Sequence, residues 1–135
     1  MFKKSLLLGI VSGLLAGVAG IIYAKVYYKA NEADFSEVVN NVKIVASCLF
    51  GGVLASIGFW FLDRWLKEKG EIVFNFLFTI ISFATILVPI AAKLPKTIDP
   101  SELLLFPGMA IPMHFFPALA WFTLKPLFFR RSASK

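Results

Sequence analysis

The sequence predicts an all-α membrane protein: a bundle of four transmembrane helices with both termini on the cytoplasmic side. Three observations predict it. Of 135 residues, 59% are hydrophobic and the mean hydropathy is +0.79, where soluble domains average about 45–50% apolar. The apolar residues gather into four blocks, near residues 5–28, 42–62, 72–92 and 106–128. Each approaches the roughly 20 residues a helix needs to cross a bilayer. Basic residues flank these blocks and form no domain of their own, so the net charge of +6 reads as a topology signal and not as a nucleic-acid surface. With no Gly/Ser linker and no repeat of 20–50 residues, residues 1–135 read as one domain.

The first block begins MFKKSLLLGIVSGLLAGVAG. Two lysines before an apolar run suit a secretory signal, but the run continues to Tyr28, past the about 7–15 residues of a signal core. It therefore reads as transmembrane helix 1. Gly9, Gly13 and Gly17 recur every fourth residue, with Ala16, Gly20 and Ala24 beside them. Small residues at that spacing let helix backbones approach closely, within the bundle or across a homodimer seam. Lys25 and Lys29 close the helix beside Tyr23, Tyr27 and Tyr28, as interfacial anchors.

In the loop NEADFSEVVNN, Asp34 followed by Glu37 fits a capping box, so a helix is expected to start there and run on into helix 2. Ser47, Gly51 and Ala55 form a second small stripe, flanked by Gly52 and Ser56. Trp60 and Trp65 read as interface anchors, and Gly70 as the C-cap of helix 2. Glu71 suits the N-terminus of the next helix. The short turn makes helices 2 and 3 antiparallel neighbours.

Helix 3 carries Asn75, Thr79, Ser82 and Thr85 as polar residues, with Pro89 near its far end. Inter-helical hydrogen bonding, at about 0.6 kcal/mol per bond, explains Thr79, Ser82 and Thr85 more simply than a lined polar path. In KLPKTIDPSELLLFPG, Asp99, Pro100 and Glu102 signal a helix start. The outcome is either a short interfacial helix broken at Pro107 and Gly108 or the first turn of a bent helix 4.

The last block, FPGMAIPMHFFPALAWFTLKPLFF, holds His114 and four prolines. Pro112 and Pro117 free the carbonyls of Gly108 and Met113, which in lipid must find donors within the protein. An ionisable residue within a span is a functional candidate, so His114, with Thr79, Ser82 and Thr85, makes up the candidate intramembrane polar site. Its structural alternative is a neutral imidazole bonded to a freed carbonyl or to a hydroxyl of helix 3. One histidine and one cysteine, Cys48, cannot complete a tetrahedral metal set, and no cofactor is expected. A disulfide within the chain is impossible.

Both termini and the middle loop share one side, with nine basic residues: Lys3, Lys4, Arg64, Lys67, Lys69, Lys125, Arg130, Arg131 and Lys135. The other side has five: Lys25, Lys29, Lys43, Lys93 and Lys96. The positive-inside rule then puts the termini in the cytoplasm.

The glycine-rich first helix closing in tyrosine (GLLAGVAGIIY), the short hairpin between helices 2 and 3, and a last helix with Met113-His114 followed by Arg130 and Arg131 carry a resemblance. The layout resembles an uncharacterised bacterial group of small four-helix membrane proteins. The resemblance implies four spans and a role for His114; it implies no activity. No span holds a central Asp or Glu, on which proton- and cation-coupled carriers depend, and no P-loop, GxSxG or HExxH occurs. The expected function is a non-catalytic accessory or scaffold subunit of the bacterial inner membrane. Its partners would be the lipid bilayer and other membrane subunits or further copies of itself. The alternatives are a small self-associating transporter or channel, and a lipid or quinone binder using His114.

Overall fold

A computed structural model of the protein describes residues 1–129; the basic tail at Arg130, Arg131 and Lys135 lies outside the described residues. The described chain folds into helices α1 (Phe2–Asn31), α2 (Asn41–Leu66), α3 (Gly70–Thr85), α4 (Leu87–Ala91) and α5 (Leu105–Phe128). Three helical stretches are long and apolar enough to cross a membrane: Phe2–Asn31, Asn41–Ala91 and Leu105–Phe128. The middle stretch is not a rod. It folds back on itself at Lys67, so that Phe59 of α2 packs edge-on to Phe74 of α3 with ring centroids 5.2 Å apart.

Packing begins with the pair α1 and α2. In lipid, burying apolar surface drives little, so helices associate by close van der Waals contact and hydrogen bonds. A Cβ on Gly9 would overlap the Gly52 carbonyl and the Ser56 hydroxyl, and one on Gly52 would overlap the Gly9 carbonyl. A Cβ on Gly13 would lie 2.8 Å from the Cys48 carbonyl oxygen, and one on Gly17 3.2 Å from Val45. The crossing is thus backbone against backbone. Ser56 reinforces it by donating to the carbonyl of Ser5 at 2.8 Å. The face of α2 that meets α1 is Ile44, Cys48, Gly52 and Ser56, not the neighbouring stripe. Ser47 is exposed, and among the described residues no atom lies within 4 Å of where a Cβ on Gly51 would stand. Ala55 is buried on the other flank, against Leu8 and Phe59.

Helix α5 lies antiparallel to α1. Two tyrosines fix the pairing. Tyr23 donates to the Gly108 carbonyl at 3.0 Å, the group that Pro112 deprives of its helical partner. Tyr27 donates to the Leu105 carbonyl at 2.7 Å, at the start of α5. Gly108 makes room: a Cβ there would stand 2.6 Å from the Tyr27 hydroxyl. Beyond anchoring an interface, these tyrosines clamp one helix to another. Gly20 meets both Ile44 and Met113, so it marks where α1, α2 and α5 converge.

Several boundaries differ from the sequence reading. The Asp34–Glu37 segment does not begin a helix; Asp34 accepts from the Ser36 amide in a local turn, and Asn40 caps α2 by accepting from the Lys43 amide at 2.9 Å. Phe35 leaves the segment to bury itself completely between Tyr28 and Phe106, and that tertiary contact overrides the local capping pattern. Gly70 is no left-handed cap. Its φ is −58°, it opens α3, and a side chain there would strike the Leu62 carbonyl and the Asp63 backbone. The residue of the turn with a positive φ is Lys67, at φ 50° and ψ −120°. Helix 3 breaks at Ile86, because Pro89 offers no amide to the Thr85 carbonyl and its ring crowds that group. Residues 100–104 form successive turns, and α5 starts at Leu105 and continues through Pro107 and Gly108. A proline in the first turn displaces no helical hydrogen bond.

Asp99 closes the last loop by accepting from the Ser101 hydroxyl and amide at 2.7 and 2.8 Å. These bonds, the hydroxyl first, hold its carboxyl below the usual carboxylate range. The turn is therefore supported above that range and loosens as pH falls through the lowered value.

Two outcomes follow from this packing. Gly9→Leu should lower the thermal stability of the detergent-solubilised protein by about 3 kcal/mol or more, because backbone on α2 must move, whereas Gly51→Leu should leave it within about 0.5 kcal/mol. Tyr23→Phe should cost about 1 kcal/mol by stranding the Gly108 carbonyl, read from the same melting curves.

Candidate functional site

The residues expected to form an intramembrane polar site are placed as follows. The Thr79 hydroxyl donates to the Asn75 carbonyl and that of Ser82 to the Phe78 carbonyl, each at 2.8 Å. Thr85 donates to the Ser82 carbonyl at 2.8 Å. All three bonds are made within α3. Thr79 is exposed, Ser82 buried and Thr85 half-buried. The Nδ1 of His114 is bonded to the Ala110 carbonyl at 2.8 Å. Since a carbonyl only accepts, Nδ1 carries the proton, and in the neutral ring Nε2 is left as an acceptor. The partner of His114 is thus neither proline-freed carbonyl, Gly108 nor Met113. The edge-on pair Phe83–Phe115, with ring centroids 5.1 Å apart, joins α3 to α5, but no hydrogen bond joins Thr85 to His114 among the described residues.

The most developed polar arrangement lies elsewhere, at the end of the bundle where the start of α1, the α2–α3 turn and the end of α5 meet. Lys125, one turn before the end of α5, is 7% exposed. Its ammonium pairs with Glu71 at 3.0 Å, donates to Asn75 Oδ1 at 3.4 Å and sits 4.7 Å over the ring of Phe59. The antiparallel packing of α3 and α5 explains why these residues meet. The N-terminus of α3 stands beside the C-terminus of α5, so a carboxylate in the first turn of one and an ammonium in the last turn of the other each complement their own helix dipole and then each other. Asn75 lies four residues after Glu71, on the same helix face. Aromatic groups enclose the pair: Trp121 is fully buried among Phe59, Phe74 and Phe78, with ring centroids at 5.9, 5.4 and 6.2 Å.

This cluster opens into a cleft of about 600 Å³ bordered by Lys4, Asp63, Lys67, Glu68 and Glu71, with Leu127 and Phe128 as apolar wall. The sequence reading took Lys125 only as a flanking charge. The signal that finds it is the pattern FTLKPLFF, a lysine with apolar residues on both sides, read together with Glu71 and Asn75 on the helix that packs beside it. Two further buried polar atoms, Ser12 Oγ and Trp121 Nε1, have no hydrogen-bond partner among the described residues.

Among the described residues, no group of three or more His, Cys, Asp or Glu side chains is placed to hold a metal ion. Comparisons with protein-family models, with curated proteins and with solved structures find no match to this chain.

The lysine pair carries an asymmetric prediction. Glu71→Leu should cost about 2–3 kcal/mol, because it leaves a buried ammonium without its carboxylate. Lys125→Met should cost about 1 kcal/mol, because the Glu71 side chain is 42% exposed and water can solvate what remains. The double variant should fall short of the sum in a thermodynamic cycle of melting curves.

Proposed function

We propose that the chain is a four-span protein of the bacterial cytoplasmic membrane, both termini inside, acting as a non-catalytic accessory or scaffold subunit of a larger membrane complex. The observation that carries this reading is the exposed stripe on α2. Ser47 and Gly51 lie on a face that no other part of the described chain covers, framed by Phe50 and Leu54, which are 67% and 52% exposed. A stripe of small residues between large apolar ones is the surface on which another membrane helix packs closely. The glycines of α1, by contrast, are taken up inside the bundle, which removes them as a docking face.

The fourth span is α3 with α4, running back from the turn at Lys67. The orientation rests on nine basic residues against five. The layout also resembles small four-helix bacterial membrane proteins, in agreement with four spans. A transporter or channel draws less support, because the hydroxyls of Thr79, Ser82 and Thr85 are engaged with their own helix. The lipid- or quinone-binding alternative at His114 retains one free ring nitrogen in its favour.

The test is extraction at native expression in mild detergent, followed by sizing and mass spectrometry. A larger membrane partner should co-migrate at fixed stoichiometry, and Gly51→Leu should release it while leaving the monomer folded. A pure homo-oligomer, or a partner whose retention ignores Gly51→Leu, would sink the accessory-subunit reading. In that case flux across reconstituted vesicles, compared between the unaltered protein and His114→Ala, separates the transporter from the remaining options.

A further inference from the structure

We propose that the outer face of the α1–α2 pair, at the stack Phe2–Trp60–Arg64, binds the phosphate of an anionic phospholipid such as phosphatidylglycerol. The inference rests on the membrane reading above, which puts the start of α1 and the end of α2 at the bilayer surface. Where these two ends lie side by side, Phe2 packs edge-on against Trp60, with ring centroids 5.4 Å apart. The guanidinium carbon of Arg64, one turn further along α2, lies 5.8 Å from the centre of the Trp60 ring.

That stack prepares Arg64 for a ligand. An exposed arginine samples many rotamers, and a contact with a ring face restricts them before binding, so less freedom is lost when a partner arrives. Among the described residues the only ion pair is Lys125–Glu71, so the Arg64 charge is not spent on a carboxylate. Guanidinium presents a planar fork of N–H donors that matches two oxygens of one phosphate. Phe61 and Ile57 are exposed on the same helix, nearer the middle of the span, and offer an apolar surface for the acyl chains. Aromatic groups beside a basic side chain are what a helix presents at head-group depth.

The sign of the lipid follows from where the carboxylates lie. This end has three, Asp63, Glu68 and Glu71, and all three border the cleft on the α5 side. Asp63 precedes Arg64 by one residue, which is about 100° round the helix. Lys3 and Arg64 are both exposed, and neither borders that cleft. Residues 130–135 contain no Asp or Glu, and the ammonium of Met1 has the same sign as the lysines. A zwitterionic lipid would bring its own ammonium to a face without a carboxylate. An anionic lipid brings phosphate alone, and each Lys or Arg near it adds attraction.

The full chain, purified and delipidated in detergent, would be offered equal amounts of phosphatidylglycerol, phosphatidylethanolamine and phosphatidylcholine, and the retained lipid read by native mass spectrometry. Phosphatidylglycerol should be retained about tenfold over both others. Arg64→Gln should cut that preference about fivefold, the worth of one basic side chain at an anionic surface. Trp60→Leu, which keeps every charge, should cut it about two- to threefold by releasing the guanidinium. Lys69→Gln removes an equal charge from an exposed residue outside the stack and should change it less than about twofold. Glycerol phosphate, which has the anion without the acyl chains, should leave the lipid in place at equal concentration. All three side chains are exposed or half-buried, and melting curves check that the variants fold. Equal retention of the three lipids, equal losses in Arg64→Gln and Lys69→Gln, or displacement by glycerol phosphate would overturn the proposal.

An alkaline carbonate wash of membranes from the expressing cells separates this failure from that of the membrane reading. A chain released by the wash would refute the membrane placement and the lipid site with it. A chain that stays in the membrane but shows no preference for phosphatidylglycerol would refute the lipid site alone.

Discussion

The crossing of α1 and α2 at Gly9, Gly13 and Gly52 is the contact on which the remaining structure depends. Two helices whose backbones touch have little freedom to rotate or slide, since any movement drives a carbonyl of one into the Cα of the other. That rigidity matters in lipid, where no hydrophobic gradient between helices would pull a loose pair together. Once α1 and α2 are fixed, the groove along them is defined, and α5 lies in it with Met113 against Gly20. Helix α3 then packs against α2 and α5 through the aromatic group around Trp121.

A second constraint shapes the details. Backbone groups in the bilayer must be satisfied internally, and a helix with four prolines breaks that rule repeatedly. The chain answers at Gly108 with a phenol from α1. The small hydroxyls of α3 answer a related need locally, each bonding a carbonyl on its own helix. His114 does the same one turn back. Residues that the sequence led one to expect in hydrogen bonds between helices therefore behave as self-contained units, because a side chain one turn from a carbonyl reaches it more readily than one across a helix interface.

What was legible in the sequence was what periodicity and hydropathy encode: the all-helical class, the long apolar helices, the internal glycine face of α1, and the demand for a donor at Gly108. What was not legible depended on rotation and register. On α2, Ser47–Gly51–Ala55 and Cys48–Gly52–Ser56 are both stripes of small residues one position apart, and composition alone does not say which faces α1. The Asp34–Glu37 capping pattern was genuine locally but lost to burial of Phe35. Lys125 was hidden because its partners come from sequence positions about 50 residues away, and only the antiparallel pairing of α3 with α5 brings Glu71 and Asn75 beneath it.

The two ends of the bundle are built to different rules, and this bears on where function resides. At one end the loops close over the helices: Ala33, Phe35 and Ile98 pack on Phe106, and Thr97 donates to Glu37 across the two loops. That end is a plug, its apolar groups buried in the chain's own core. At the other end a tight turn and two helix termini leave charged groups around an open cleft over a buried ammonium. A fold that seals one face with two long loops can cover polar groups when stability requires it. The Lys125 end stays open instead, with Lys4, Asp63, Lys67 and Glu68 bordering a cleft beside the Lys125–Glu71 pair.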